Sequence, residues 1–388
     1  MKKIFVLFLS LVLVLCVFIT KSGGNIAVAS TVFDNMSSKS YILVDKDSGE
    51  VIVEKNSQQK LPVASICKLM TSLITLEKLD AGIIDLNDEA RASAYACSME
   101  GSQAFLDEGC KYKISELLKS VVVASANDSS VVLAEYISGS EREFVNLMNK
   151  RAKELGMLNT IYENANGLPT PNQYSTAYDT SLILKEISKY DLYNELSNIW
   201  MDDFVHPSGR VTELVNTNRL IKYYSNCLNG KTGFTDEAGY CLASSAKQDG
   251  LTLIAVVLNC KEPASRFSES INLYNYGFAN YENKQILFKN EVLKNIKVTN
   301  GKENELEVGA EENYYLLNKK GESENVSIRY DIPSSIKAPL KQNDVVGTCL
   351  ILKDGKVIGK VNLVALNTIE KQGFSDIMYK LVDNWQIM

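Results

Sequence analysis

Histidine is almost absent from this chain of 388 residues, in which His206 is the only one. A metal site built from several histidines is therefore excluded. A serine–histidine–aspartate mechanism would have to use His206 as its base, since no other imidazole exists. If the chain activates a nucleophile, the base should be sought among other residue types.

The cysteines lack the spacing of a zinc ribbon or of a disulfide framework. No Cys-x-x-Cys pair occurs, and an odd set of cysteines is scattered beyond the N-terminal segment that holds Cys16. Such a set favours buried thiols that behave as small apolar side chains. We expect at most one or two disulfides, and Cys97 and Cys110 are the nearest candidates in sequence.

Long basic runs, internal repeats and low-complexity segments are also missing. The formal net charge is −6, from 41 basic and 47 acidic side chains, so the chain is a poor candidate for binding nucleic acid. Apolar residues make up 45% and charged residues 23%. This composition is ordinary for a globular protein and excludes disordered, collagen-like and coiled-coil classes. The length suggests two or three domains.

The N-terminal segment has the pattern of a secretory signal peptide. Lys2 and Lys3 precede an uncharged apolar stretch over residues 4–19, and Ala27-Val28-Ala29 provides a cleavage site of small residues. We predict that residues 1–29 are removed on export. The alternative is an uncleaved N-terminal anchor, because the apolar stretch is slightly long for a signal peptide.

Periodicity predicts an α/β (α+β) domain over residues 38–284. A hairpin is expected over residues 40–54, and residues 230–234 and 251–258 are expected to be strands of one sheet, joined by a turn at 235–239. The predicted helices cover residues 65–79, 114–123, 129–137, 141–155 and 268–281. Strands at both ends of a helical middle predict a sheet that needs both ends of this region to form.

Alternating apolar residues predict a small all-β domain over residues 285–370. Asp354-Gly355, between two apolar runs, is a strong hairpin signal, and no cluster of chemically useful residues falls here. Residues 374–388 carry one apolar stripe at helical period. We predict an amphipathic helix that attaches peripherally to a membrane, with docking on the protein core as the alternative.

A lysine can replace histidine as the base that activates a serine, provided that the lysine is neutral. Ser65 and Lys68 are three residues apart in a predicted helix, so their side chains share one face. Ser65 lies near the helix start, where backbone N–H groups can hold a developing oxyanion. Cys67 is rotated about 200° from Ser65, so we expect it to point into the core.

Two further motifs stand in contexts that suit a cleft. Ser125-Ala126-Asn127 separates two predicted helices, as a loop directed into a cleft would. Lys231-Thr232-Gly233 lies on a predicted strand that precedes a turn. Gly233 would let a substrate backbone approach that strand. Other Ser-x-x-Lys and Ser-x-Asn matches occur elsewhere in the chain, but they lack such contexts.

In this order the motifs resemble those of penicillin-binding proteins and serine β-lactamases. The surrounding words LPVAS (61–65), ASAND (124–128), YSTAYD (174–179) and GKTGFT (230–235) are similar to those of the low-molecular-mass D-alanyl-D-alanine carboxypeptidases. The resemblance runs from about residue 40 to residue 366. It implies a transpeptidase-like domain with an antiparallel sheet and a helical cluster, followed by a β-rich domain. It also implies removal of the terminal D-alanine from peptidoglycan stem peptides through an acyl-enzyme.

The resemblance implies a role for each residue that matches a motif. Ser65 would be the acyl-enzyme nucleophile and Lys68 its general base. Ser125 would relay a proton to the leaving D-alanine, and Asn127 would orient Lys68 and the substrate amide. The residues expected to bind the substrate are Lys231, Thr232, Gly233 and Arg266, and the backbone N–H groups of Ser65 and Phe234 would form the oxyanion hole. Gln173 stands where relatives often carry histidine, a departure to which we assign no mechanism.

The same resemblance implies that no cofactor or metal is needed. The expected partners are stem peptides ending in D-Ala-D-Ala and β-lactam antibiotics, with peripheral membrane contact through the C-terminal helix and no nucleic acid. Together with the predicted signal peptide, this places the protein outside the cytoplasm, at the cell wall or the outer face of the cytoplasmic membrane.

Two rival functions share part of this pattern. A class A-like β-lactamase would carry Ser-Asp-Asn in place of Ser125-Ala126-Asn127, would have a Glu-x-x-Leu-Asn context that is missing here, and would lack the β-rich domain. A non-catalytic penicillin sensor would be acylated once and would release no D-alanine, which a turnover assay tests. An ATP-binding P-loop is excluded because Ser225 stands where its first glycine would be.

Overall fold

A five-stranded sheet and a set of helices make up most of the chain before residue 281. The structure is a computed structural model that describes residue 33 and residues 35–322 and 325–378. The strands of this region are β1 (Ser40–Asp45), β2 (Val51–Lys55), β3 (Glu89–Arg91), β4 (Lys111–Lys113), β5 (Met201–Val205), β6 (Val211–Val215), β7 (Cys227–Thr235), β8 (Gly239–Gln248) and β9 (Leu251–Cys260). The main sheet has the order β2-β1-β9-β8-β7, and β3–β4 and β5–β6 form two antiparallel ribbons. Because β1 pairs with β9, the sheet needs both ends of the region, as predicted.

One strand was missed by the sequence analysis. Residues 230–234 and 251–258 were expected to be joined by a single turn, but β8 lies between β7 and β9. This strand is rich in small residues, and Ala243, Ser244 and Ser245 in its centre are all buried. Small and hydroxyl side chains give no alternating apolar pattern, so periodicity does not reveal such a strand.

Within the described residues, five helices lie close to their predicted positions, and four more were not predicted from the sequence. They are α1 (Lys68–Asp80), α2 (Ala94–Cys97), α3 (Ile114–Val123), α4 (Asn127–Ser138), α5 (Glu141–Glu154), α6 (Ala177–Ile187), α7 (Asp191–Ser197), α8 (Leu220–Tyr223) and α9 (Ser265–Asn280). The helix expected to start at Ser65 is preceded by a 3-10 turn, Ala64–Cys67. Asn127, expected in a loop, is the first residue of α4.

Capping side chains set several of these boundaries. Ser140 accepts a hydrogen bond from the backbone of Glu143 at the start of α5, and Thr176 accepts one from the backbone of Asp179 at the start of α6. Both satisfy N–H groups that have no partner inside the helix. Thr176 and Asp179 belong to the YSTAYD word, so part of that motif serves to begin a helix.

Contacts divide the described chain into two units. The first contains the described residues through Ile42, Glu54–Ser244 and Ala255–Leu273; the second contains Leu43–Val53, Ser245–Ile254 and the described residues from Tyr274 onward. The first unit holds α1 to α8 and all the residues of the predicted site.

The second unit is dominated by β-structure, as predicted. Its later strands are β10 (Tyr281–Leu287), β11 (Val292–Thr299), β12 (Glu305–Ala310), β13 (Tyr314–Lys319), β14 (Val326–Asp331), β15 (Ser335–Lys337), β16 (Val345–Lys353) and β17 (Lys356–Ala365). Six of them form a sheet with the order β14-β16-β17-β12-β11-β15. Asp354 and Gly355 join β16 to β17 with φ values of 50° and 77°, which confirms the hairpin predicted from that pair.

The inward-facing side chains of this β-rich region form one apolar cluster. Ile296 and Val298 on β11 are buried, whereas Lys297 between them is exposed. Leu306 and Val308 on β12 continue the cluster, together with Leu363 on β17. The period of two that predicted the strands is therefore the period at which side chains enter this core.

Two predicted segments lie wholly or partly outside the described residues. The predicted signal peptide, residues 1–29, is outside them, and so are residues 379–388 of the predicted C-terminal helix. Residues 374–378 are helical. Within the described part of the chain, no helix has both the length and the apolar character needed to cross a membrane.

Candidate active site

Ser65 and Lys68 are brought together, as their spacing predicted. Ser65 lies in the 3-10 turn and Lys68 is the first residue of α1. The Lys68 Nζ lies 2.9 Å from the Ser65 Oγ. The Lys68 side chain is completely buried, whereas Ser65 is half-buried. The hydroxyl is therefore accessible from one side and contacts an amine on the other.

Two carbonyl oxygens hold the Lys68 amine. Nζ donates to the Asn127 Oδ1 at 2.6 Å and to the main-chain oxygen of Asn166. The Asn127 amide is oriented because its Nδ2 donates to the Glu100 carbonyl at 2.6 Å, which turns Oδ1 towards Lys68. A neutral amine has two N–H donors and one lone pair. With both donors used by Asn127 and Asn166, the lone pair is left to face the Ser65 hydroxyl.

Burial makes the neutral form of Lys68 accessible. It lowers the pKa of Lys68 to about 7, although Cys67 and Asp128 act in the opposite direction. Asp128 is itself completely buried, and its carboxylate accepts hydrogen bonds from the backbone N–H groups of Ala104 and Leu106 at 3.0 and 3.1 Å. Near pH 7 a substantial fraction of Lys68 can therefore accept a proton.

Ser125 and Lys231 form a second serine–lysine pair. The Lys231 Nζ donates to the Ser125 Oγ at 2.8 Å and to the main-chain oxygen of Thr232 at 3.1 Å. Burial lowers the pKa of Lys231 well below its usual value, and the charges of Lys68 and Arg266 add to this effect. Because Lys231 donates to Ser125, the hydroxyl hydrogen of Ser125 is directed elsewhere. Ser125 has a φ of 64°, in the left-handed region that non-glycine residues seldom adopt.

These side chains meet at a cleft of about 300 Å³. Its lining consists of Ser65, Gly101, Ser102, Ser125, Asn127, Gly167, Leu168, Thr217, Thr232, Gly233, Phe234, Thr235 and Arg266. Lys68 and Lys231 lie behind this lining and bond to Ser65 and Ser125. Each residue of the predicted site thus either lines the cleft or bonds to a residue that does.

Arg266 is held beside the β7 edge of the cleft. Its Nη1 donates to the Gly233 carbonyl at 3.2 Å, and its guanidinium lies 5.5 Å from the Tyr240 ring centroid. Tyr240 in turn stacks on the half-exposed Phe234, with ring centroids 4.3 Å apart. These contacts fix a cation at one side of the cleft.

Close packing requires a glycine at position 233, in addition to the role that the sequence predicted for it. A Cβ on this residue would lie 2.4 Å from the Val63 carbonyl oxygen and 3.3 Å from the Ala64 Cβ. The absence of a side chain lets β7 approach the turn that holds Ser65. Close backbone packing, as well as room for a substrate, therefore requires glycine here.

Sequence reasoning did not identify four residues that help to build the site. Asn166 and Glu100 contribute main-chain oxygens, which every residue type possesses, so no residue pattern marks them. Gly167, with a φ of 84°, packs so closely that a Cβ would lie 2.2 Å from the Ala64 carbonyl oxygen. The Asn166-Gly167 pair is a turn signal that could have marked this position. Thr217, which accepts a hydrogen bond from the Thr232 hydroxyl at 2.7 Å, has no such signal.

His206 does not take part in this site. Its Nδ1 lies 3.1 Å from the Arg210 Nη2 and 3.2 Å from the Tyr112 hydroxyl, and its Nε2 lies 2.9 Å from the Thr212 Oγ1. A guanidinium only donates, so Nδ1 is an acceptor and Nε2 carries the hydrogen. The described residues that line the cleft do not include His206. A serine–histidine–aspartate arrangement at Ser65 is therefore excluded.

Five cysteines of the described chain are buried, as the sequence predicted, whereas Cys97 and Cys110 are partly exposed. Cys67 is buried, its Sγ contacts the Asn164 carbonyl oxygen at 3.2 Å, and burial raises the pKa of its thiol to about 12. It is therefore a poor competitor for Ser65. All seven cysteines of the described part of the chain are free, so Cys97 and Cys110 do not form a disulfide. That part of the chain also contains no group of three or more metal-ligating side chains that could hold an ion.

Two family models match the chain. Residues 27–262 match the model described as D-alanyl-D-alanine carboxypeptidase. Residues 281–371 match the model described as penicillin-binding protein 5, C-terminal domain.

Curated relatives and solved structures agree with both matches. The D-alanyl-D-alanine carboxypeptidase DacF of Bacillus subtilis is 38% identical over 89% of this chain and 90% of its own length. The D-alanyl-D-alanine carboxypeptidase DacC of Escherichia coli is 33% identical over 88% of this chain and 86% of its own length. The crystal structure of penicillin-binding protein 5 from Haemophilus influenzae has a TM-score of 0.73 and 31% identity, covering 87% of this chain and 98% of that one.

Proposed function

The chain belongs to the D-alanyl-D-alanine carboxypeptidase family and is a serine hydrolase of that type, and we propose that Ser65 is the residue it acylates. The observation that carries this assignment is the 2.9 Å contact between the Ser65 hydroxyl and the Lys68 amine. The amine is buried, and its other two hydrogen bonds go to carbonyl oxygens, so its lone pair is directed at the hydroxyl. Ser125 is a second described serine of the cleft that bonds to a buried lysine, but the amine of that lysine, Lys231, donates to one carbonyl oxygen, that of Thr232, and not to two.

Formation and hydrolysis of the acyl-enzyme each require proton transfers. Neutral Lys68 takes the proton of the Ser65 hydroxyl, and Oγ attacks the carbonyl carbon of the penultimate D-alanine. The carbonyl oxygen becomes an oxyanion held by the backbone N–H groups of Ser65 and Phe234. When the C–N bond breaks, the leaving amine of the terminal D-alanine takes a proton from Ser125, and Ser125 regains a proton from the charged Lys68, which becomes neutral again. Water later attacks the ester carbonyl and gives a proton to Lys68. Lys68 returns this proton to the Ser65 oxygen when the ester C–O bond breaks, which restores free Ser65 and neutral Lys68.

The terminal carboxylate of the substrate binds at the β7 side of the cleft. Thr232 and Arg266 line the cleft there and offer a hydroxyl and a guanidinium. Lys231 lies behind Ser125 rather than in the lining, so it acts through its charge and through Ser125. A bound carboxylate stabilises the charged form of Lys231, which the empty site disfavours.

The proposed substrate is the stem peptide of peptidoglycan that ends in D-Ala-D-Ala, and β-lactams acylate the same serine. The protein acts outside the cytoplasm, at the cell wall or the outer face of the membrane. Support for the membrane contact is the apolar stripe of residues 374–388, in which Phe374 is 81% exposed. The polar face of that stripe is nearly neutral, so the attachment is mainly hydrophobic and easily lost.

Mapping a penicillin adduct tests the nucleophile. Protein treated with benzylpenicillin should gain one adduct, which peptide mass spectrometry should place on Ser65. Ser65→Ala should lose both the adduct and D-alanine release from a peptide ending in Lys-D-Ala-D-Ala. Covalent labelling that survives in Ser65→Ala would show that another residue is acylated. An adduct on Ser65 without D-alanine release would instead indicate a penicillin sensor.

A further inference from the structure

The segment between α5 and α6 carries the Asn166 carbonyl that holds Lys68. Its base is closed by two backbone hydrogen bonds between Ile161 and Tyr174, at 2.9 and 3.1 Å. The next residue, Ser175, pairs with Leu61 through two more, at 2.9 and 3.0 Å. Leu61 lies four residues before Ser65, so the segment is fixed to the chain that leads into the nucleophile.

Gln173 lies at the closed end of this segment and is buried. Its Oε1 accepts hydrogen bonds from the backbone N–H groups of Glu163 at 2.9 Å and Asn164 at 3.2 Å. Its Nε2 donates to the Asn164 Oδ1 at 3.2 Å. The amide therefore bonds to the main chain and to the side chain of the same turn.

Asn164 extends this connection across the turn. Its Oδ1 accepts a hydrogen bond from the Gly167 backbone N–H at 2.7 Å, and its Nδ2 donates to the Leu168 carbonyl at 2.9 Å. The Asn164 side chain thus bonds to both of the residues that follow Asn166. The Asn166 carbonyl and the Gly167 N–H belong to one peptide unit, so the carbonyl cannot turn away from Lys68 without breaking the hydrogen bond from Gly167 to Asn164.

We propose that Gln173 is a positioning residue that acts through Asn164 to hold the Asn166 carbonyl on the Lys68 amine, and that it thereby sets the pH range in which Lys68 serves as a base. The proposal rests on the role of Lys68 given above. It assigns a function to the position at which this chain departs from the histidine that its relatives often carry.

Other charged and titratable groups face Lys68 from neighbouring elements. Cys67 adjoins it in the 3-10 turn, Asp128 lies on α4, and Lys231 lies on β7. Cys67 is uncharged near pH 7, because burial raises the pKa of its thiol to about 12. A neutral substitution at Gln173 or Asn164 leaves the charges of all three groups unchanged. A shift in the titration of Lys68 would therefore report on the carbonyl.

The sign of the expected shift follows from the hydrogen bond. A carbonyl oxygen that accepts from an amine stabilises the charged ammonium more than the neutral form. Releasing the Asn166 carbonyl should therefore lower the pKa of Lys68 below its value of about 7. The acid limb of kcat/KM should move to lower pH, while the plateau falls because the lone pair is less well directed at Ser65.

The test compares Gln173→Met, Asn164→Ala and the double variant with wild type in D-alanine release from pH 5 to 9. Rates are divided by the fraction of protein that benzylpenicillin titrates, so misfolded molecules do not contribute. Each single variant should move the acid limb down by roughly half a pH unit or more and reduce the plateau about tenfold. The double variant should shift no further, because both changes interrupt the same connection. Asn172→Ala is the matched control, since this exposed neighbour bonds to the Glu163 carboxylate and should leave the limb in place.

If the acid limb of kcat/KM does not move in the single variants, the proposal is wrong, whatever the loss of rate. It is also wrong if the shifts of the two single variants add in the double variant. Failure of both single variants to give titratable protein would also overturn it, because the amide pair would then serve folding. A wild-type profile without an acid limb near pH 7 would instead contradict the role of Lys68, so the two failures can be distinguished.

Discussion

The two regions of the molecule differ in what they bury. The region around the cleft buries Lys68, Lys231 and Asp128, each with polar partners. The β-rich region after residue 281 buries apolar side chains and glycines, and no polar or charged residue among its described positions is buried. In the β-rich region burial raises the pKa values of the Tyr330 and Cys349 side chains, but among the described residues only the region around the cleft buries lysines whose pKa values are lowered. The comparison indicates that the proposed catalytic groups lie in the region that buries charged side chains. The β-rich region needs only strands in which buried apolar residues alternate with exposed ones.

The difference has an energetic cause. A buried charge is costly unless hydrogen bonds replace its lost solvation, and each group near the cleft has such bonds. An apolar side chain such as Leu363 needs no partner of that kind, since burial alone favours it. Substitutions should therefore affect chemistry in the first region and stability in the second.

The largest expected effect comes from removing the buried base. Lys68→Ala should slow acylation of Ser65 by about 10²–10⁴-fold, the usual contribution of a positioned general base. In wild type, kcat/KM should rise with pH through about 7, because only neutral Lys68 accepts the serine proton. The rate of D-alanine release as a function of pH measures both.

The control for this change is the exposed Lys297 of the β-rich region. Lys297→Ala should leave the rate and its pH dependence unchanged. If both lysine variants were equally active, burial of charge would not mark the catalytic region.

A second, smaller effect should follow loss of the other buried lysine. Lys231→Ala should weaken binding of substrates with a free carboxylate by about 2–3 kcal/mol, as expected when a charged partner is lost from a partly desolvated site. Amidating the terminal D-alanine should cost wild type much affinity and the variant little. Equal sensitivity of both proteins to amidation, measured as KM and kcat/KM, would remove Lys231 from carboxylate recognition.

A core substitution in the β-rich region should have the reverse pattern. Leu363 is 1% exposed, and Leu363→Ala should lower the free energy of unfolding of its region by about 2–5 kcal/mol. The plateau rate of D-alanine release at low temperature should stay near that of wild type. Calorimetry and limited proteolysis measure the loss of stability. A rate that falls as far as in Lys231→Ala would show that the two regions are not separable in this way.

The smallest effect on catalysis is expected at the C-terminus. Deleting residues 374–388 should release the mature protein from lipid vesicles and leave D-alanine release from soluble peptides intact, because residues 374–378, the described part of this segment, do not line the cleft. Sedimentation with vesicles measures the attachment. Unfolding of the truncated protein, or failure of the full-length mature protein to sediment, would show that the segment packs on the protein instead.

Local patterns predicted much of this molecule from its sequence. Ser65 and Lys68 share a face because they are three residues apart in a helical turn, and Asp354-Gly355 forms a hairpin because both residues accept a positive φ. The strand alternation around Ile296 marks the core face of the β-rich region. Each of these depends only on neighbours within a few residues, which is why the sequence alone determines them.

Only the tertiary structure decided how the site works. The Asn166 and Glu100 carbonyls reach Lys68 and Asn127 through the path of two loops, and main-chain oxygens carry no residue signature. The contact of Ser125 with Lys231 and the approach of Gly233 to Val63 join segments distant in sequence. The lowered pKa of Lys68 arises from burial by all of these segments together. Because desolvation depends on every atom that excludes water, it is a property of the assembled fold and of no motif within it.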